Sequence, residues 1–95
     1  MFARIARFQI KRARLDAAVA GLLNQGAASF GVLDGFRSAE VYVDREASRA
    51  LYISLWDTRQ QANALSHSHE RQALADRLQA DLEAPIEIEV YESVG

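Results

Sequence analysis

Four segments of this chain alternate between apolar and polar residues, and this pattern limits the fold more than any other feature. Residues 49–56 and 86–92 alternate most regularly, and residues 36–43 follow the same spacing. Residues 2–10 carry apolar side chains on both faces of the same pattern, which is typical of a central strand covered on both sides. The sequence therefore predicts four strands, with 36–56 forming an antiparallel hairpin.

The two long segments between these strands carry leucine and other apolar residues at helical spacing. Residues 13–28 are predicted as a helix because apolar residues recur at helical intervals at Leu15, Val19, Leu22 and Leu23. Residues 59–65 are predicted as a short helix, since Thr58 and Gln61 have the spacing of a capping box. A break at Ser66 to His69 precedes a further helix that carries Leu74, Leu78 and Leu82 and stops at Pro85.

The predicted order of elements is β-α-β-β-α-α-β over a single domain spanning residues 1–95. This is the ferredoxin-like split βαβ arrangement of the α+β class, an antiparallel four-stranded sheet with helices on one face. The second face of the hairpin strands is aromatic and mixed rather than polar, and such a face requires a partner. The periodicity leaves open which face meets the helices. The second face carries Phe36, Glu40, Tyr42, Tyr52, Ser54 and Trp56. We expect a homodimer by sheet-to-sheet packing about a two-fold axis.

Composition excludes several classes of protein. The net charge of −2 does not favour a nucleic-acid binder, and the absence of cysteine excludes disulfides and thiol chemistry. No apolar run approaches the length of a membrane helix, so a cytoplasmic protein without membrane contact is expected. The Arg-rich, acid-poor residues 1–15 fit either a mitochondrial presequence or a first strand, and we favour the strand because its apolar residues are needed in the core.

Several short stretches resemble the antibiotic biosynthesis monooxygenase-like family. They are Gly35-Phe36, Glu40-Val41, Val43-Asp44-Arg45-Glu46 and Leu55-Trp56-Asp57-Thr58. The resemblance implies a dimeric α+β barrel. It also implies one of the activities found on that fold, which include cofactor-independent monooxygenases that form quinones, haem-degrading enzymes and isomerases. Fold alone does not decide among them.

The resemblance places a substrate cavity near Trp56, the only tryptophan. In the quinone-forming enzymes the equivalent Trp has an Asn four residues earlier and a Tyr six residues later, whereas this chain has Tyr52 and Ala62 there. Tyr52 retains the ability to hydrogen-bond a phenolic substrate. The alternative, which we favour, is that Trp56 is a packed core residue.

The haem-degrading branch places an axial His, a second Trp and an Asn at positions that hold Ala75, Leu65 and Ile5 here. None of the three matches. We therefore expect no haem and no other cofactor.

Histidine occurs only at His67 and His69. One hypothesis makes either of them a general base at the mouth of the cavity, because the pKa of histidine suits that role. The alternative, which we favour, is a pair of solvated residues between two helices. Glu70 is the one nearby acid, which is too few ligands for a metal, so no metal site is predicted.

Three further residues are candidates for the site or its surroundings. Asn63 would polarise a substrate carbonyl if it faces the sheet, although a surface position is the simpler interpretation. Tyr42 is expected to line either the cavity or the interior of the dimer. Arg4 is expected to pair with Glu40, Glu87 or Glu89.

Two functions remain open from the sequence. The first is a cofactor-independent monooxygenase that oxidises a small hydroxyaromatic or quinol with O₂. The second is a non-catalytic dimeric module that binds a small aromatic ligand or only supports an assembly. A cavity plugged by Phe8, Leu65 and Leu74 would favour the second.

Overall fold

A computed structural model describes residues 1–26 and 30–95. Its four strands form one antiparallel sheet in the order β2-β3-β1-β4, with bounds β1 Phe2–Gln9, β2 Phe36–Asp44, β3 Arg49–Trp56 and β4 Glu87–Glu92. Each inner strand lies between two strands that are consecutive in the chain: β3 lies between β1 and β2, and β1 lies between β3 and β4. The predicted ferredoxin-like split βαβ fold is confirmed, within a residue or two at each strand end.

Three α-helices lie in the described part of the chain: α1 Leu15–Gly21, α2 Arg59–Leu65 and α3 His69–Leu78. The helix predicted over 13–28 is divided, because a 3₁₀ turn precedes α1 and a π-helical segment, Leu22–Gly26, follows it. The last residues of that prediction lie outside the described part. None of the helices described is both long and apolar enough to cross a membrane.

The prediction that the last helix extends through Leu82 is wrong. Helix α3 ends at Leu78, a 3₁₀ turn follows, and Leu82 has extended backbone angles. Leu82 then forms a β-bridge with Ile10, and the Glu83 N–H donates to the Gln9 carbonyl at 2.9 Å. Leu82 pairs with the end of β1 instead of forming a last helical turn. The helical spacing of the leucines therefore extends to Leu82, past the end of the actual helix at Leu78.

The helices cover one face of the sheet. On β3 this face carries Ala50, Tyr52, Ser54 and Trp56, each at most 3% exposed. The register places Arg4 opposite Ser54 and Ala6 opposite Tyr52, so alternate residues of β1 share that face. The face packs against apolar residues from the helices and the turn before β2, namely Leu15, Ala18, Leu22, Phe30, Ala62, Leu65, Leu74 and Leu78.

The opposite face, called the open face below, has no covering layer in the described chain. Its centre consists of five partly exposed apolar residues, Ala3, Ile5, Leu51, Ile53 and Leu55. Tyr42 and Tyr91 flank this centre on the two outer strands, and their hydroxyls donate to Glu40 and Glu89. The predicted mixed aromatic face is correct for Glu40 and Tyr42, which lie on the open face. It is wrong for its β3 members, because Tyr52, Ser54 and Trp56 are buried against the helices.

The expected pairing of Arg4 with a strand carboxylate is wrong. Arg4 points to the helix-covered face, and its Nη2 donates to Ser66 Oγ at 3.1 Å. The arginine that pairs with Glu87 and Glu89 is Arg7, at 3.2 and 3.4 Å, because odd-numbered residues of β1 point to the open face.

The turn before β2 is joined to the start of α2. Gly35 has a φ of +82°, and its carbonyl accepts from the Asp57 N–H at 3.0 Å. Thr58 begins α2 with the predicted capping box: its Oγ1 accepts from the Gln61 N–H, and its own N–H donates to Gln61 Oε1. A Cβ at Gly35 would overlap the carboxamide of Gln61, so this junction requires glycine.

Candidate functional site

A small cavity lies between the helix-covered face of the sheet and α3. Its volume is about 20 Å³, which is room for about one water molecule. Most of its wall is apolar, and its polar groups belong to two arginines and a tyrosine. The lining residues are Arg4, Ala6, Phe8, Phe30, Tyr52, Arg71, Leu74, Ala75, Ile86 and Ile88.

Arg4 is the least ordinary of these residues, because it is only 2% exposed. Its Nη2 donates to Ser66, but its Nε has no hydrogen-bond partner. Within residues 1–26 and 30–95 no carboxylate forms an ion pair with it. Burial lowers the pKa of Arg4 to about 10, the neighbouring Arg71 guanidinium lowers it as well, and Tyr52 partly opposes them. Arg4 therefore remains a buried cation at neutral pH.

Tyr52 presents a second unsatisfied polar group to the cavity. The residue is 3% exposed, and its hydroxyl has no hydrogen-bond partner in the described part of the chain. Phe30 packs edge-on against its ring with centroids 5.7 Å apart, which fixes the plane of the phenol. Burial raises the pKa of Tyr52 to about 12, with the Arg4 charge acting in the opposite direction. The phenol is therefore neutral at physiological pH and available as a donor.

Arg71 connects this cavity with a larger groove. The groove lies between α3 and the segment before β4 and has a volume of about 530 Å³. Arg71, Ala75 and Ile86 line both spaces, so they form the wall between them. The outer part of the groove carries two carboxylates, Asp76 and Glu83. Neither of these carboxylates lines the cavity that contains Arg4.

Trp56 lies outside the lining of this cavity. It is 1% exposed, its Nε1 donates to Ser54 Oγ at 2.9 Å, and Phe36 packs edge-on against it at 5.5 Å. It borders a separate shallow groove of about 480 Å³ that also includes Asp34 and Ser68. Its contacts are those of a core residue, and its predicted role in substrate binding stays a prediction.

The other predicted site residues are exposed and apart from the cavity. His67 lies in the turn between α2 and α3, His69 is the first residue of α3, and Asn63 is exposed on α2. Tyr42 is 52% exposed on the open face, across the sheet from the cavity. No three His, Cys, Asp or Glu side chains of the described residues come together as metal ligands. The catalytic role of the histidines stays a prediction.

Of the residues predicted to bind substrate or act as a base, only Tyr52 lines the cavity. Sequence reasoning named Arg4 with the wrong partners and missed Arg71. A signal for Arg4 exists in the alternation of β1, which places it on one face with Ala6 and Phe8. A basic residue on an otherwise apolar strand face is a candidate for a ligand contact. No comparable signal marks Arg71, because it belongs to a helix with many charged residues.

Solved structures provide the comparison for this fold. A protein described as a "putative antibiotic biosynthesis monooxygenase" from Bordetella bronchiseptica superposes with a TM-score of 0.85 at 18% identity, covering 98% of this chain and 96% of that one. A protein of the same description from Nitrosomonas europaea gives 0.83 at 14% identity over the full length of both chains. The Rv0793 protein of Mycobacterium tuberculosis gives 0.79 at 19% identity, covering 99% and 95%.

This chain has the antibiotic biosynthesis monooxygenase-like fold. No protein-family model matches the sequence, and no curated protein is significantly similar to it. The fold resemblance expected from the motif around Gly35 and Trp56 is confirmed over the whole chain. At identities of 14 to 19% the likeness shows the fold alone and does not decide the chemistry of the cavity.

Proposed function

We propose that this protein is a cofactor-independent monooxygenase that oxidises a small hydroxyaromatic, whose hydroxyl enters the cavity between the sheet and α3 and whose ring lies in the adjoining groove. One observation carries the proposal: a buried guanidinium without a carboxylate partner and a buried phenol without any partner face the same apolar cavity. Structures of the same fold are described as antibiotic biosynthesis monooxygenases, which supports this reaction class.

The arginine supplies what such a reaction needs most, which is stabilisation of the substrate anion. A phenol reacts with O₂ once it has lost its proton, because the anion is the electron donor. Arg4 would hold the phenolate oxygen, and Tyr52 would donate a hydrogen bond to it. The phenolic proton leaves to solvent, since the two histidines are exposed and do not line the cavity.

The overall reaction balances without any further reductant. The phenolate gives two electrons to O₂ and forms a C–O bond at a ring carbon that carries hydrogen. That hydrogen then leaves as a proton while the O–O bond breaks, so the carbon becomes a carbonyl. The released hydroxide takes up a proton, and the products are one quinone and one water for each O₂ consumed.

The open face supports a homodimer as part of this proposal. Five apolar side chains at its centre remain partly exposed, and a soluble monomer seldom leaves such a contiguous strip uncovered. A second copy packed sheet to sheet would cover the strip, with the Tyr42–Glu40 and Tyr91–Glu89 pairs at its margin. The cavity lies on the other side of the sheet and stays within one protomer.

A non-catalytic binding module is the second candidate. It is favoured by two observations: the cavity is small, with Phe8 and Leu74 in its wall, and the only histidines are exposed away from it. Such a module would bind the same ligand through Arg4 and Tyr52 without turning it over.

Oxygen consumption separates these two functions. Purified protein is given 1,8-dihydroxyanthrone or 1-naphthol in an oxygen electrode, and quinone absorbance is followed in parallel after subtraction of spontaneous oxidation. We expect one O₂ per quinone, and loss of the enzyme-dependent rate in Arg4→Met. The Arg77→Gln variant is the control, because Arg77 is exposed on α3 and does not line the cavity. Binding of either phenol without oxygen uptake would instead establish the module.

A further inference from the structure

Arg4 and Arg71 share one small space, and neither has an acidic partner among the residues that the structure describes. Two guanidinium groups repel each other, and burying a cation without a counter-charge costs several kcal/mol. Arg4 lines the cavity, is almost completely buried, and has an Nε without a hydrogen-bond partner among the described residues. An arrangement with this cost is expected where a negative charge is supplied from outside the chain.

The geometry points to a ligand with a single carboxylate head and an uncharged aromatic tail. Arg4 and Tyr52 hold the head inside the cavity, Arg71 closes over it, and the tail lies in the adjoining groove. This inference rests on the proposed function only in using the same cavity, where the carboxylate would take the place that the proposed function gives to the phenolate oxygen. Carboxylate and guanidinium fit each other through paired N–H···O contacts, for which the free Nε of Arg4 is available.

The sizes of the two spaces agree with this division of the ligand. A cavity of about 20 Å³ takes one small polar group and excludes an aromatic ring. The groove of about 530 Å³ is large enough for a ring, and it begins at the same three residues, Arg71, Ala75 and Ile86. The side chain of Arg71 is partly exposed and long, so its rotation can join the two spaces without movement of the sheet.

The charges of the groove restrict the tail. Asp76 and Glu83 line its outer part, where they would repel a second negative group. Asp76 accepts a hydrogen bond from Gln72 Nε2 at 2.9 Å, which holds that carboxylate at the groove. A monocarboxylate is therefore favoured over a dicarboxylate of the same size.

Calorimetric titration with three ring compounds tests this inference. Sodium benzoate carries the head and a plain ring, benzyl alcohol lacks the charge, and isophthalate adds a second carboxylate. We expect saturable binding of benzoate only. Binding of benzyl alcohol as tight as that of benzoate would overturn the inference, and so would the absence of benzoate binding, which would leave a water molecule as the occupant of the cavity.

Substitutions of single arginines test which of them contacts the carboxylate. Arg4→Met should weaken benzoate binding at least tenfold, and Arg71→Gln should weaken it about tenfold, as expected for charge-assisted hydrogen bonds. Arg77→Gln, the same substitution on the exposed side of α3, should leave the dissociation constant unchanged. Equal loss in Arg71→Gln and Arg77→Gln would mean that Arg71 acts only through net charge, and would overturn its place at the mouth.

Thermal melting provides a readout that a purely structural role of Arg4 would not produce. Without ligand, Arg4→Met should melt several degrees higher than the native protein, because it removes a buried unpaired charge. Benzoate should raise the melting temperature of the native protein and not that of Arg4→Met. A lower melting temperature in Arg4→Met would show that the guanidinium stabilises the fold and would overturn the inference.

Benzoate cannot be oxidised in the proposed reaction, since it has no phenol. Its binding therefore succeeds or fails independently of the oxygen-uptake experiment. Benzoate binding without oxygenation of any phenol would retain the carboxylate site and reject the monooxygenase. Oxygenation of neutral phenols without benzoate binding would retain the monooxygenase and reject the carboxylate site.

Discussion

Tyr52 and Ser54 follow each other on the helix-covered face of β3, but only one of their hydroxyls is satisfied. Ser54 Oγ accepts from Trp56 Nε1 at 2.9 Å, which ties the tryptophan to the core. The Tyr52 hydroxyl has no partner. Because a buried donor without an acceptor costs free energy, the Tyr52 hydroxyl is the one to which we assign a ligand in the proposed function.

The ionisation of Tyr52 makes a prediction about pH and stability. Its pKa is raised by burial to about 12, whereas an unfolded tyrosine ionises near the ordinary 10. The unfolded chain therefore loses this proton first, so the stabilising contribution is complete below pH 10 and is lost as pH rises towards 12. We expect the native protein to lose about 1 kcal/mol relative to Tyr52→Phe between pH 9 and pH 11.

Urea unfolding of both proteins at the two pH values measures this difference. Tyr42→Phe is the comparison variant for burial, because Tyr42 is 52% exposed and its pKa is raised mainly by the hydrogen bond to Glu40 rather than by burial. An unchanged difference between native and Tyr52→Phe protein would mean that the phenol ionises in the folded state as it does in the unfolded chain.

At the residue scale, the sequence predicts on which face of the sheet a side chain lies more readily than it predicts which residues pack against that side chain. Alternation in β1 is sufficient to place Arg4 with Ala6 and Phe8. It does not say whether helices or a second sheet cover that face, so the pairing of Arg4 with a strand carboxylate could not be excluded. Tyr52 was identified through the family resemblance, whereas Arg71 requires the position of α3 and could not be identified from spacing.

At the scale of elements, local sequence signals predict starts better than ends. The capping box at Thr58 predicts the first turn of α2 correctly, because it depends on residues three positions apart. The end of α3 was misjudged because Leu82 pairs with Ile10, which is 72 positions earlier in the chain. Because the end of this helix depends on a contact between distant residues, the local sequence pattern cannot predict it.

The junction between β2 and α2 should be sensitive to a single methyl group. In Gly35→Ala the new Cβ overlaps the Gln61 carboxamide, and alanine is strained at a φ of +82°. We expect a loss of about 2 kcal/mol in the free energy of unfolding, from the strain and from half of the capping box. Denaturant unfolding measures it.

Two further variants test the origin of that loss. Gly35→Ala combined with Gln61→Ala should cost less than the sum of the single substitutions, since the overlap is gone. Gly21→Ala is the matched control: its Cβ would meet only Leu78 Cδ2 at 4.0 Å, so no loss is expected. Strict additivity in the double variant would argue against the Gln61 contact.

At the scale of the whole molecule, the open face predicts self-association. Ile53 lies at its centre, opposite Ile5 on β1 and Glu40 on β2. In Ile53→Lys the monomer should remain folded, because the ammonium can reach Glu40, but two copies would then bury like charges at the seam. We expect analytical ultracentrifugation to show a dimer for the native protein and a monomer for Ile53→Lys at micromolar concentration.

Val32→Lys is the control for that experiment. Val32 is 78% exposed in the turn before β2 and is not part of the open face. A monomeric native protein would contradict the proposed dimer, and so would a Val32→Lys variant that dissociates as readily as Ile53→Lys.

The strand order has a consequence for how quickly the molecule can form. Strand β1 lies inside the sheet, and its register with β4 pairs Phe2 with Glu92, so the first and last strands close the sheet together. A loop that spans nearly the whole chain must close before these strand contacts form, and the entropy lost in closing it is only then offset by their favourable free energy. Folding is therefore expected on the millisecond-to-second scale of mixed and β-rich domains rather than the microseconds of helical bundles. One edge of β1 stays unpaired until the last strand, β4, joins the sheet.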